Sequence, residues 1–167
     1  RLQEYMKLEG VTLYGQNSDY LILEVSNPES LTELGQDTEW CTKHLHHAEH
    51  YLVEEGNKQY VVFKKENGKY LKFAQFAEDF SQFKNVDDHE MLKVDDSLYE
   101  LVTSKLEAPF SFVKRNGNAI YRWLEENKDI KGYLNLSGCT SLTSLPEGLS
   151  VRDSLDLIGC TNLTSLP

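Results

Sequence analysis

Residues 134–146 of this chain, LNLSGCTSLTSLP, return at residues 155–167 as LDLIGCTNLTSLP. The offset is 21 residues, and of 13 aligned positions only Asn135/Asp156, Ser137/Ile158 and Ser141/Asn162 differ, leaving 10 identical. A fixed period of this length with leucines in register marks a stack of repeats. Each repeat can bury its apolar side only against its neighbours. No other feature of the sequence constrains the fold as tightly.

The copies follow L-x-L-x-x-C-x-x-L-x-x-L-P, and in that pattern the tail resembles the bacterial leucine-rich repeat. The resemblance implies that each L-x-L pair lies on a short parallel strand with both leucines inward. It also implies that Cys139 and Cys160 fill the buried turn. Stacked strands lie ~4.8 Å apart, which brings the thiols near each other, but a disulfide needs more than proximity. Reduced thiols are expected. Pro146 closes the turn, and Glu147-Gly148 starts a return arm through Leu149 and Val151. The second copy stops at Pro167 and the chain begins at Arg1, so the expectation is a piece of a longer protein, cut inside its solenoid. A truncated stack leaves Leu155, Leu157 and Leu163 incompletely covered, and self-association through the open edge, or fraying there, is expected.

A formal net charge of −10 argues against nucleic acid or an anionic membrane as the main partner. There is no apolar run of membrane-spanning length, and residues 1–10 are too polar for a signal peptide. Three widely spaced cysteines do not form a disulfide framework. A soluble, cytoplasmic, reduced protein with no cofactor is expected.

Along the chain, residues 1–8 read as a helix tail ending at Gly10. Residues 11–14 and 20–25 read as strands around a turn at residues 15–19. Asn27-Pro28 starts a short helix that Gly35 stops. Residues 42–55 read as one helix with Leu45, Ala48 and Leu52 on a face and Gly56 at its end. Asn67-Gly68 is a two-residue hairpin turn between residues 60–66 and 69–73. Phe76, Phe80 and Phe83 fall in a stretch with no clear pattern. Asp95 or Asp96 caps a helix to about Glu107, residues 110–113 read as a strand, and Asn118 caps a helix to about Asp129. The domain expectation is an α+β globular domain over residues 1–117, a capping helix and joint over 118–132, and incomplete repeats over 133–167. The fold class is α+β: a small mixed domain with a β-hairpin and several helices, followed by the truncated start of a leucine-rich-repeat solenoid.

Four of the five histidines crowd into His44, His46, His47 and His50. Residues 46–50 match H-x-x-E-H, in which His46 and His50 would bind zinc and Glu49 would activate water, with Glu78 or Glu90 as a further carboxylate. The competing reading is a solvated helix face beside Lys43 and Glu54. Cys41, three residues before His44, is a weak nucleophile candidate, because catalytic Cys/His pairs usually meet in space rather than along one turn.

The remaining constellation is Asp37-Thr38-Glu39-Trp40-Cys41-Thr42, then Tyr51, Gly56, Tyr60-Val61-Val62, Lys69-Tyr70 and Gln75-Phe76. Over residues 36–76 this order resembles an uncharacterised domain of phage and mobile-element proteins with a T-x-W-C-T motif, although Phe73-Ala74 stand where polar residues are usual. Leucine-rich repeats often follow such domains. The residue types permit a pocket for a nucleotide-like ligand. Trp40, Tyr51 and Tyr60 would stack on a base, and Thr42, Lys72 and Gln75 would supply polar contacts. The same residues equally suit a core that locks helix to hairpin. The reading that follows is a non-enzymatic binding protein whose repeats present a surface to a protein partner. The alternatives are a small-ligand domain that sequesters a host-defence signal, and a zinc-dependent hydrolase.

Overall fold

Asn67 (φ +50°) and Gly68 (φ +77°) both lie in the left-handed region, the geometry a two-residue hairpin turn demands. They join β3 (Gln59–Glu66) to β4 (Lys69–Ala77) in a computed structural model that describes residues 1–167. The protein is α+β. β1 (Val11–Gln16), β2 (Tyr20–Val25), β3, β4 and β5 (Phe83–Asn85) form a five-stranded antiparallel sheet in chain order. Six α-helices accompany it: α1 (Leu2–Tyr5), α2 (Pro28–Leu34), α3 (Leu45–Glu49), α4 (Asp96–Val102), α5 (Phe110–Val113) and α6 (Gly117–Glu126). None is long and apolar enough to cross a membrane. Two compact units are present: residues 1–91 with 100–106, and residues 92–99 with 107–167.

In the first unit, alternation along the strands sorts side chains onto two faces. Leu21, Leu23, Val25, Val61 and Phe63 face Tyr5, Leu31, Leu34, Trp40 and Ala48, the main core. Tyr60, Phe76 and Phe83 form a row of stacked rings on the opposite face, with centroids 4.8 and 4.9 Å apart. The stretch that had no clear pattern thus supplies the last strand and its ring row. One irregularity matters for the site. A two-residue turn alone would place Tyr60 opposite Gln75, but the register shifts between Val62 and Phe63. Tyr60 therefore pairs with Phe76, and Gln75 pairs with Val61. The bulge moves Gln75 onto the face opposite Tyr60.

Asn27 caps α2 as expected, its side chain accepting from Ser30 N, with Pro28 at the first position. The expected single helix over residues 42–55 is instead three pieces. A 3-10 turn spans Cys41–Lys43, α3 follows, and a π-turn spans His50–Glu54. Trp40 and Thr42 are both held by side-chain hydrogen bonds to the sheet. Those tethers fix the start of the segment more strongly than a short helix could.

α4 starts among the residues of the second unit and ends among those of the first. Asp95 rather than Asp96 caps it, accepting from Leu98 N at 2.8 Å, and the helix ends at Val102 rather than near Glu107. The following elements belong to the second unit. Residues 110–113 are the helix α5, not a strand. Pro109 stands at its N-cap, and Phe112 is buried with its ring stacked on Tyr99 at 5.5 Å. Asn116, not Asn118, caps α6, because its Oδ1 accepts from Ala119 N while its amide donates to Val94 O and Asp96 Oδ1. Buried Ile120 and Leu124 of α6 join Leu134, Leu136, Cys139, Leu142 and Leu145 in one core.

Candidate functional site

Four very short strands lie in or just before the two copies of the repeat: β6 (Asp129–Ile130), β7 (Leu134–Asn135), β8 (Ser150–Val151) and β9 (Leu155–Asp156). β7 and β9 pair in parallel with Leu134 opposite Leu155 and Asn135 opposite Asp156, the 21-residue offset of the sequence. β6 and β8 pair in parallel with Asp129 opposite Ser150, also 21 residues apart. Hydrogen bonds from Leu134 N to Ser154 O, Leu136 N to Asp156 O and Gly138 N to Ile158 O continue the ladder at 2.7–2.9 Å.

Alternation turns Leu134 and Leu136 inward and leaves Tyr133 and Asn135 exposed, with Ile158 exposed on the second copy. Asn135 Oδ1 accepts from Ser137 N, and Asp156 Oδ1 accepts from Ile158 N, both at 2.9 Å, so the two copies close the strand by the same side-chain turn. Tyr133 Oη donates to Asp156 Oδ2 across the copies at 3.1 Å. Tyr133 at 52% and Ile158 at 78% exposure place an aromatic ring and a branched aliphatic chain in water on one small surface. Cys139 and Cys160 are free thiols. Burial pushes the Cys139 thiol up to about 11, so it stays protonated near neutrality, and Cys160 Sγ donates to Leu136 O at 3.0 Å.

The residues expected to form a ligand pocket around Trp40 divide among several places. Trp40 is 2% exposed in the main core and donates from Nε1 to Asn85 O at 2.6 Å. Thr42 is 1% exposed. Its hydroxyl is not a helix cap but donates to Gln75 Oε1 at 2.8 Å. Gln75 Nε2 donates to Gln59 Oε1 (3.0 Å), and Gln59 Nε2 donates to Asn57 O (3.1 Å). Gln59 carried no motif signal in the sequence; only the sheet register reveals it as the middle of this buried relay. Tyr51 Oη accepts from Gln82 Nε2 at 3.0 Å and lies 4.0 Å from Cys41 Sγ, while burial raises its pKa. Tyr60, on the other face, directs its hydroxyl to Glu24 Oε2 at 3.2 Å. Lys72 belongs to a different groove, donating to Gln36 O at 2.7 Å.

The cavity lined by Trp40, Cys41, Thr42, Gln59, Gln75 and Gln82 has a volume of about 10 Å³. That is room for about one water, far below the ~300 Å³ at which small-molecule sites begin. Trp40 and Thr42 are buried, and the Tyr60 ring lies on the opposite face of the sheet from Trp40.

The H-x-x-E-H segment does not assemble a metal centre. No group of three or more His, Cys, Asp or Glu side chains is placed to hold an ion, and neither Glu78 nor Glu90 completes one with His46, Glu49 and His50. His50 Nδ1 lies 2.9 Å from Glu54 Oε2, and its Nε2 lies 3.0 Å from Glu55 Oε1. Both ring nitrogens thus face carboxylates, one on the π-turn and one just past its end. The hydrogen bond to Glu54 raises the pKa of His50, whereas desolvation and then the neighbouring His46, His44 and His50 lower that of His47. The expected result of an NMR pH titration is that His47 deprotonates below the ordinary value of about 6.5 and His50 above it. A raised folded-state pKa makes the His50 contribution to stability fully present below that ordinary value. The contribution is lost as pH rises through the folded value. Coincident titration of the two rings would contradict the geometry.

No family model matches the chain, and no curated protein or solved structure shows significant similarity to it.

Proposed function

We propose that this chain is a non-enzymatic binding protein, cytoplasmic and of phage or mobile-element type. In this reading its second unit is the start of a leucine-rich-repeat solenoid that offers its strand face to a protein partner. The parallel pairing of residues 21 positions apart carries the reading. It gives each further repeat a defined place on the stack, so that outward side chains of successive copies line one continuous surface. Tyr133, Asn135, Asp156 and Ile158 are the residues such a surface offers, and exposed aromatic and aliphatic groups are the usual anchors of protein recognition. Leu155, in register with buried Leu134, is exposed instead at the uncovered last layer of the stack, through which copies self-associate.

A photo-crosslinking amino acid at Asn135 tests this, with one at exposed Val53 of the first unit as control. The expected outcome is a discrete protein adduct from position 135 that Ile158→Lys removes without changing thermal stability. Equal adducts from both positions, or none from position 135, would count against the reading.

A further inference from the structure

The first unit has a second cavity, away from Trp40. A groove of about 390 Å³ opens on the helix-covered face of the sheet, beside the hairpin, lined by Arg1, Tyr5, Asp37, Phe63, Tyr70 and Lys72 among others. Its volume falls in the range of sites that enclose small organic molecules, roughly 300–1,000 Å³. Three observations describe what it would accept.

The first is charge. The chain as a whole is strongly acidic, yet Lys64, Lys65, Lys69 and Lys72 stand against the single Glu66 on this hairpin. Lys72 Nζ lies 5.0 Å from the centre of the Tyr5 ring and donates one bond, to Gln36 O, which leaves two of its three N–H groups for an anion. The Arg1 guanidinium stands 5.1 Å from the same ring, so two cations share one aromatic floor. The second is flat apolar surface. The half-buried Tyr70 ring lines the groove above buried Phe63, with Lys65 5.7 Å from the Tyr70 ring centre. The third is an acceptor. Asp37 is exposed, lines the groove and has no hydrogen bond to its carboxylate.

We propose that this groove binds a nucleoside 5′-phosphate. The phosphate is held by Lys72 and Arg1, the base lies against the half-buried Tyr70 ring, and Asp37 accepts from an N–H of the base. Cations alone would take any anion and the rings alone any flat molecule. The combination with a carboxylate favours a ligand that carries an anionic group and a donor-bearing ring together. The proposal does not depend on the repeat surface, so the two stand or fall separately.

The test is NMR titration of the whole chain with AMP, GMP, CMP and UMP, alongside inorganic phosphate and the free nucleosides. At least one monophosphate is expected to shift the amides of Asp37, Tyr70 and Lys72. It should bind at least about tenfold more tightly than its nucleoside or phosphate alone. Lys72→Gln should weaken binding at least about tenfold while Lys72→Arg retains it, with melting temperatures of the free variants confirming that both fold. Asp37→Asn should alter the order of preference among the four bases. No binding at millimolar concentrations, shifts clustered away from these residues, binding matched by phosphate alone, or unchanged affinity in Lys72→Gln would each overturn the proposal. An unfolded Lys72→Gln would transfer the decision to Asp37→Asn, whose unchanged base preference would overturn it equally.

Discussion

Trp40→Ala should destabilise the protein by about 3–5 kcal/mol, the usual loss when a buried aromatic leaves a cavity. Trp40 is almost wholly buried among Leu31, Leu34, Ala48 and Val61, so the surroundings can collapse only partly. The substitution also orphans Asn85 O, which accepts the indole N–H at 2.6 Å. A domain of this size has about 5–15 kcal/mol of stability in total, so the variant should melt far below the parent and populate unfolded chains at body temperature. Trp40→Phe separates the two contributions. It keeps most of the packing and loses the hydrogen bond, and should cost about 1–3 kcal/mol. Urea unfolding followed by far-UV circular dichroism gives both values. A loss below about 1 kcal/mol for Trp40→Ala would mean that the indole lines a pocket rather than filling the core.

Gly117→Ala should also be strongly destabilising, although helix propensity predicts the reverse. Alanine is favoured over glycine in a helix interior by about 1 kcal/mol. At this position, however, an added Cβ would overlap Ser141 O and lie 3.1 Å from Ser141 C. Both are backbone atoms, so no side-chain rotation relieves the clash. The start of α6 would have to retreat from the first repeat, opening the packing of Ile120 and Leu124 against Leu136 and Leu142. The hydrogen bond from Ser141 Oγ to Arg115 O at 3.0 Å holds the same two segments together and would be strained with it. Overpacking of this kind costs about 1–3 kcal/mol or more. A thermal melt in which Gly117→Ala equals or exceeds the parent would show that α6 and the first repeat approach less closely than described.

Local signals in the sequence located local structure. Asn27-Pro28 and Asn67-Gly68 each specify a backbone geometry within a few residues, and both the helix start and the hairpin lie where those pairs put them. Where several residues offered the same chemistry, tertiary contacts decided. Asn116 caps α6 in place of Asn118 because only Asn116 can also reach Val94 O. The run at residues 110–113 suits a strand or a helix equally, and Pro109 together with burial of Phe112 selects the helix. In the candidate ligand set, Trp40, Thr42 and Gln75 do come together, as their shared motif suggested. Tyr60 and Lys72 do not join them. The face of Tyr60 relative to Gln75 depends on a one-residue bulge at Phe73, which leaves no mark in composition or periodicity, and Lys72 sits on the turn side of that bulge. Burial was equally hidden: a tryptophan beside threonine and cysteine has the same composition whether it floors a pocket or fills a core.

The central claim is that the 21-residue sequence repeat is a stacking register, and that this register creates the presented surface. The most direct measurement is through-hydrogen-bond NMR coupling between amide nitrogens and carbonyl carbons. Couplings from Leu134 N to Ser154 C, Leu136 N to Asp156 C and Gly138 N to Ile158 C are the predicted result. Couplings displaced by even one residue, or none between these segments while those of β3 and β4 are seen, would contradict the claim.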